Sequence, residues 1–136
     1  MIRRFHEAVQ AESEEVVIWG TGKPRREFLH VDDMAAASIH VMNLSREAYD
    51  SVTTERCSHI NVGTGVDCSI RELAEEIASI YNFKGKLVFD TEKPDGTMRK
   101  QLDVTRIHSL GWQHGIKLRE GLKVACDWYA KVGSAL

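Results

Sequence analysis

The sequence predicts a mixed α/β fold with short strands and several helices. Short runs rich in β-branched and aromatic side chains, such as residues 16–19 and 86–89, are typical of strands. Between them lie longer segments, such as residues 70–80, in which apolar side chains recur at helical spacing. The chain has 136 residues, of which 43% are hydrophobic, so it is long enough to bury a core and has the composition of a globular domain.

Composition and charge narrow the classes of function. Eighteen Lys and Arg residues against twenty Asp and Glu residues give a net charge of −2. Such a balance predicts no extended positive potential that would attract nucleic acid or an anionic membrane. No apolar run approaches the roughly 20 residues that span a bilayer, and the first ten residues lack the apolar segment of a signal peptide. Cys57, Cys68 and Cys126 are odd in number and widely spaced, which favours free thiols in a cytoplasmic protein.

The first predicted elements are a helix, a strand and a loop. Apolar Ile2, Phe5 and Val9 lie at helical spacing with no capping residue before them. Because a natural domain rarely begins inside a helix, this pattern favours an internal start in a longer chain. The strand over residues 16–19 then runs into a loop rich in Gly and Pro over residues 20–24.

The next predicted elements are a second strand over residues 27–31 and a helix that Asp32 caps and that runs to Leu44. Apolar side chains cover most of the circumference of this helix, so it is expected to be buried on several sides. The polar stretch 45–58 is predicted as a frayed helix end and a surface loop, and residues 59–62 as a further strand.

The second half of the chain is predicted to hold three helices and one strand. Ser69 and Glu72 form a capping-box pattern ahead of an amphipathic helix. A strand is predicted over residues 86–89, a short helix over 104–110, and a final helix over 118–132. The apolar face of the final helix is formed by Leu122, Ala125, Trp128 and Tyr129.

Several familiar catalytic and cofactor motifs are missing from the sequence. The two glycine pairs, at residues 20 and 22 and at residues 63 and 65, lack the third glycine of a dinucleotide-binding loop and are interpreted as plain turns. None of the three tyrosines is followed four residues later by the lysine of a hydride-transfer dyad. The six histidines show no paired ligand spacing, so no metal site is predicted.

A basic cluster next to an aromatic residue is the strongest local signal. Residues 23–26 carry three cations close to Trp19, and guanidinium groups beside an aromatic ring suit a nucleotide diphosphate. A solvated surface patch is the alternative, and Arg26 could instead pair with one of the two aspartates at 32–33. Trp19 either stacks on a base or joins the core, where the other two tryptophans are expected.

Residues 94–100 fit either a mobile surface loop or a substrate lid.

Three ordered motifs carry a resemblance to a known family. REFLHVDDMA at residues 26–35 resembles a motif of the extended short-chain dehydrogenases that act on nucleotide sugars. NVGTG at 61–65, followed by SIRELA at 69–74, looks like a second hallmark of that superfamily. The segments KPDGTMRK, LDVTR and LGW between residues 93 and 112 narrow the resemblance to the GDP-L-fucose synthase family.

The resemblance implies that residues 1–136 are the C-terminal, GDP-sugar-binding part of such an enzyme, with the Rossmann half missing. The NADP(H) loop and the catalytic residues of the family would lie upstream, so no catalytic, cofactor-binding or metal residue is assigned here. By motif position, the family's GDP-sugar contacts correspond to Arg4, Trp19, Arg26 and Lys86.

This resemblance leads to one main hypothesis and two alternatives. The chain is expected to be part of an epimerase/reductase of GDP-4-keto-6-deoxy-mannose, inactive alone. It could instead be a stand-alone nucleotide-binding or interaction module, or a fragment of another nucleotide-sugar epimerase or dehydratase. Apolar groups meant for the missing half, namely Ile2, Phe5 and one flank of residues 34–44, are expected to be bare and to drive self-association.

Overall fold

The computed structural model describes residues 1–132, and this part of the chain contains six helices and five strands. In chain order the elements are α1 (Ile2–Gln10), β1 (Glu15–Trp19), β2 (Arg25–Glu27), α2 (Val31–Met42), α3 (Arg46–Val52), β3 (Asp67–Ser69), α4 (Ile70–Ile80), β4 (Lys86–Asp90), β5 (Arg99–Lys100), α5 (Thr105–Ser109) and α6 (Leu118–Lys131). The predicted mixed α/β class is therefore confirmed. None of the helices within residues 1–132 is long and apolar enough to cross a bilayer.

The chain divides into two compact units. Among the described residues, the first consists of Met1–Arg26, Cys68–Lys100 and 119–132, and the second of Glu27–Asp67 and Gln101–Leu118.

The first unit contains the parallel strand pair β1 and β4. The two strands pair in register from Glu15 opposite Lys86 to Trp19 opposite Asp90. The second and fourth residues of β1 are buried while the others are exposed, as expected for a strand with one face against a core. Both strands were predicted from their β-branched and aromatic composition, and each is one residue longer than expected.

Helices α1 and α4 supply much of the buried surface of the first unit. Phe5 of α1 is fully buried, and its ring lies edge-on to Phe83 with centroids 5.7 Å apart. The expectation that Phe5 is bare is therefore wrong, because residues of this same unit cover it. Helix α4 begins at the predicted capping box, in which Ser69 and Glu72 each bond the other's main-chain amide.

A glycine in the 20–24 loop fits against an aromatic ring. Gly22 has a φ of +76°, and a Cβ at this position would overlap the ring of Phe89. The guanidinium of Arg71 lies 3.7 Å from the centroid of the same ring, and the amide of Arg71 donates to the Gly22 carbonyl at 3.0 Å. Only glycine combines this left-handed backbone with this close approach.

Replacing Gly22 by alanine is therefore expected to lower the free energy of unfolding by about 2 kcal/mol, because backbone strain and steric overlap add. Gly111→Ala is the matched control, since Gly111 has a φ of +87° but nothing within 4 Å of its Cβ position. It should cost only about 1 kcal/mol, from the backbone alone. Urea denaturation of both variants measures the difference. Equal losses would show that the ring of Phe89 moves aside freely.

The second unit has a small core between α2 and α5. Ala37, Val104, Ile107 and Trp112 are buried together, which confirms the core position expected for Trp112. Asp33 of α2 is also buried, and its carboxylate accepts hydrogen bonds from the amides of Gly115 and Ile116 at 3.0 and 2.9 Å. Burial opposes ionisation of Asp33, but these two bonds, together with the nearby His114 and His30, hold its pKa below the ordinary value.

The start of α2 differs from the prediction. The strand predicted over residues 27–31 is displaced: β2 runs from Arg25 to Glu27, and Val31 is already the first residue of α2. The N-cap is His30 instead of Asp32: the ring nitrogen Nδ1 of His30 accepts a hydrogen bond from the amide of Asp32 at 3.3 Å. Asp32 lies in the first turn instead, where a carboxylate interacts favourably with the helix dipole.

The rest of α2 is more exposed than its composition predicts. Only Asp33 and Ala37 are buried, whereas four large apolar side chains on this helix are exposed, Met42 by 83%. The described residues cover one face of the helix, so the expectation of burial on several sides is wrong for this chain. The four exposed side chains are Val31, Met34, Ile39 and Met42.

Three further predictions need correction. Ser45 caps a regular helix, α3, in the stretch predicted to fray, and its Oγ accepts a hydrogen bond from the Ala48 amide at 3.1 Å. Residues 59–62 form no strand; Ile60 and Val62 pack against the second core without pairing. Helix α6 has nearly the predicted bounds, but Trp128 is 54% exposed instead of buried.

Candidate nucleotide-binding site

Trp19 is the exposed aromatic residue at the end of β1. Its side chain is 62% exposed, which excludes the alternative that it belongs to the core. It occupies the last position of the strand, opposite Asp90, directly before the 20–24 loop. A tryptophan in this position presents a flat apolar surface on which a planar ring can stack.

Arg4 lies against this tryptophan from α1. Its guanidinium carbon is 5.4 Å from the centroid of the Trp19 ring, and its Nη1 donates to the Val17 carbonyl at 3.1 Å. A groove of about 380 Å³ runs beside them between α1 and β1. The structure therefore brings together two of the four residues predicted to contact a nucleotide sugar, and both line this groove.

Arg26 lies on β2, where it pairs in register with Lys100 of β5. Its Nη1 donates to two main-chain carbonyls, those of Arg25 at 2.7 Å and Thr97 at 2.6 Å. The bonds described for Arg26 therefore go to carbonyl oxygens and not to the carboxylates at 32–33. Through the Thr97 carbonyl, Arg26 holds the loop that follows β4.

That loop, residues 91–98, is fastened to the 20–24 loop by Asp95. Its carboxylate accepts hydrogen bonds from the hydroxyl of Thr21 at 2.6 Å and from the amide of Thr21 at 2.8 Å. These bonds hold the pKa of Asp95 below its ordinary value. The amide of Arg25 also donates to the Met98 carbonyl at 2.7 Å. In this structure hydrogen bonds therefore hold the segment predicted as a mobile loop or lid next to the basic cluster at residues 23–26.

Lys93 of the same loop also lies near Trp19. Its Nζ is 5.8 Å from the centroid of the Trp19 ring. Sequence reasoning did not single out Lys93 or Asp95, although both belong to the KPDGTMRK segment that supported the resemblance. The Pro-Asp-Gly turn was the available signal, but it gave no indication of the strand that the turn would face.

Lys86 is placed differently from the other three predicted residues. It is the first residue of β4 and pairs with Glu15, whereas Trp19 pairs with the last residue of β4. Four register steps separate the two pairs, which corresponds to about 13 Å along the strands. The structure therefore does not bring Lys86 next to Trp19, and its contact with a ligand remains a prediction.

The glycine pairs of this chain do not fit a dinucleotide. A Cβ at Gly20 would overlap the Asp95 carboxylate, and one at Gly22 the Phe89 ring. At the second pair, Glu27 accepts hydrogen bonds from the amides of Thr64 and Gly65. Both loops thus already face protein groups. In three of these contacts the group is a carboxylate, which occupies the place where a pyrophosphate would bind and would repel it.

Comparison with known proteins first gives the class. Residues 1–63 match the NAD dependent epimerase/dehydratase family. The structure superimposes on a GDP-mannoheptose C4 reductase from Campylobacter jejuni, solved with NADP bound, with a TM-score of 0.82, 40% identity, and coverage of 96% of this chain and 43% of that one. The fold is that of part of an extended short-chain dehydrogenase.

The sequence relatives are more specific. The chain is 60% identical over 129 residues to GDP-L-fucose synthase from Escherichia coli K12, covering 95% of this chain and 40% of that protein. It is 47% identical over 131 residues to GDP-L-fucose synthase 1 from Arabidopsis thaliana, covering 96% of this chain and 38% of that protein. The chain is thus homologous to part of GDP-L-fucose synthases, as its motifs predicted, and spans about 40% of their length.

Proposed function

We propose that this chain is the C-terminal, GDP-sugar-binding portion of a GDP-L-fucose synthase. Such an enzyme converts GDP-4-keto-6-deoxy-D-mannose to GDP-L-fucose by epimerisation at C3 and C5 and NADPH-dependent reduction at C4. The observation that carries the proposal is the exposed Trp19 with the Arg4 guanidinium at 5.4 Å, in a chain 60% identical to such a synthase.

The role of this portion is to hold the substrate by its nucleotide end. The base stacks on Trp19, and Arg4 and Arg26 face the diphosphate, whose charge suits guanidinium donors. Binding energy gained far from the sugar then orients the C4 ketone and the protons at C3 and C5, which are acidic because they lie α to that ketone.

The reduction and the proton transfers belong to other parts of the enzyme. NADPH supplies the hydride, but neither glycine loop of this chain fits a dinucleotide, as described above. The partner of this portion is therefore a Rossmann half that carries the cofactor and the catalytic groups. We place the enzyme in the cytoplasm, away from nucleic acid and membrane, which agrees with the thiol state of its cysteines.

The proposal is tested with the polypeptide encoded by the complete reading frame that contains this chain. GDP should quench the tryptophan fluorescence of this polypeptide, and Trp19→Phe should remove the quenching. Trp128→Phe changes the other exposed tryptophan and should leave the quenching unchanged. The polypeptide should also convert GDP-4-keto-6-deoxy-mannose in the presence of NADPH. Absence of GDP binding at millimolar concentration would overturn the proposal. A stop codon directly upstream of Met1 would favour a stand-alone binding module.

The 136-residue chain expressed alone is expected to self-associate. Four large apolar side chains on α2 are exposed in this structure, and exposed apolar surface favours association. Sedimentation of the chain at increasing concentration should show dimers or larger species. A variant with Ile39→Lys and Met42→Lys should shift the distribution toward monomer. A monodisperse, cooperatively folding monomer at high concentration would contradict this expectation.

A further inference from the structure

Two cations converge on Trp19 without an acidic partner. The Arg4 guanidinium carbon and the Lys93 Nζ lie 5.4 and 5.8 Å from the same ring centroid. Among the described residues 1–132, neither cation makes an ion pair with a carboxylate; Glu7, an acidic residue of the groove lining, is bonded to Arg3. Two positive charges near the same ring would both attract an anion bound there.

The position of Lys93 is set by the strand pair. Its amide donates to the carbonyl of Asp90 at 3.2 Å, in a turn that begins directly after β4. Asp90 is the residue opposite Trp19 in the sheet, and it also accepts a hydrogen bond from the Glu92 amide at 3.1 Å through its side chain. The register of β1 and β4 therefore places the base of the Lys93 side chain beside the tryptophan.

The other end of the segment is fixed as well. Two residues after Lys93, Asp95 is bonded twice to Thr21, which is two residues after Trp19. Lys93 thus lies on a short segment held at both ends against the segment that carries Trp19. An exposed lysine on such a segment can meet a ligand with little further loss of backbone freedom.

We infer that Lys93 is a further ligand-contacting residue that binds the phosphate groups of a nucleoside diphosphate stacked on Trp19. This inference rests on the proposed function, because it adds a contact to the same site. Arg4 and Lys93 would approach the diphosphate from two different segments, α1 and the 91–98 loop. The affinity of the site would therefore depend on the number of phosphates as well as on the base.

The test compares Lys93→Gln with Lys123→Gln, a matched change on the exposed surface of α6, in the polypeptide from the complete reading frame. Titration with GDP, GMP and guanosine reports the role of the phosphates. Lys93→Gln should weaken GDP binding about three- to tenfold, as expected for an exposed charged contact. It should weaken GMP binding less and leave guanosine unchanged. Lys93→Arg should restore most of the GDP affinity, and Lys123→Gln should have no effect.

The outcomes separate this inference from the proposed function. If the unmodified protein binds GDP and Lys93→Gln binds it equally well, only the Lys93 contact is wrong. If Lys93→Gln lowers the affinities for GDP and for guanosine by the same factor, the lysine merely supports the Trp19 ring, and the inference is again overturned. If the unmodified protein binds no GDP, both the inference and the proposed function fail.

Discussion

Replacing Arg26 by alanine is expected to weaken GDP binding by the complete polypeptide about ten- to a hundredfold, the usual loss when a charge-assisted bidentate contact is removed. In this structure one nitrogen of the guanidinium, Nη1, is bonded to the carbonyls of Arg25 and Thr97. The expected loss follows from our proposal that the remaining donors of the guanidinium face the diphosphate. Under that proposal Arg26 both holds the 91–98 loop and binds the ligand.

Two measurements separate these roles of Arg26. Arg26→Lys should recover only part of the affinity, because an ammonium group cannot reproduce the planar fork. Thermal unfolding of Arg26→Ala reports the loss of the loop contact independently of the ligand. If thermal stability falls sharply while GDP affinity, measured where the variant is folded, stays unchanged, Arg26 is a loop support and not an anchor.

The 136-residue chain alone is expected to show neither NADPH binding nor turnover of a nucleotide sugar. The sequence lacks a Gly-rich fingerprint and a Tyr-x-x-x-Lys pair, and its glycine loops face Asp95, Phe89 and Glu27. Fluorescence titration with NADPH, beside the complete polypeptide as the positive control, measures this directly. Stoichiometric NADPH binding by the short chain would show that the cofactor site extends into it.

Elements fixed by local interactions were predictable from the sequence. Ser69 and Glu72 are only three residues apart, and the capping box that they form sets the start of α4. The β-branched composition of β1 and β4 likewise marks both strands. Strands β3 and β5 were missed because they are three and two residues long. Such short strands exist only through pairing with β2, and their own residues carry no signal of it.

The candidate site comes from the motifs and not from local patterning. The resemblance assigned Arg4, Trp19, Arg26 and Lys86. The structure places Arg4 next to Trp19 but Lys86 at the other end of the strand pair. The contact of Thr21 with Asp95 could not be predicted, because the two residues are far apart in the chain and each belongs to a loop. Hydrogen bonds of this kind depend on the register of β1 and β4, which the sequence pattern of either strand alone does not determine.

The parallel pairing of β1 with β4 also constrains how the first unit folds. Glu15 pairs with Lys86, so forming the sheet closes a loop of about 70 residues, which costs chain entropy. Contacts between residues so distant in the chain slow folding. During synthesis, β1 and the Trp19 side chain must wait until residue 90 has emerged from the ribosome. The residues between them, which include 27–67 of the second unit, have time to collapse before the sheet can form.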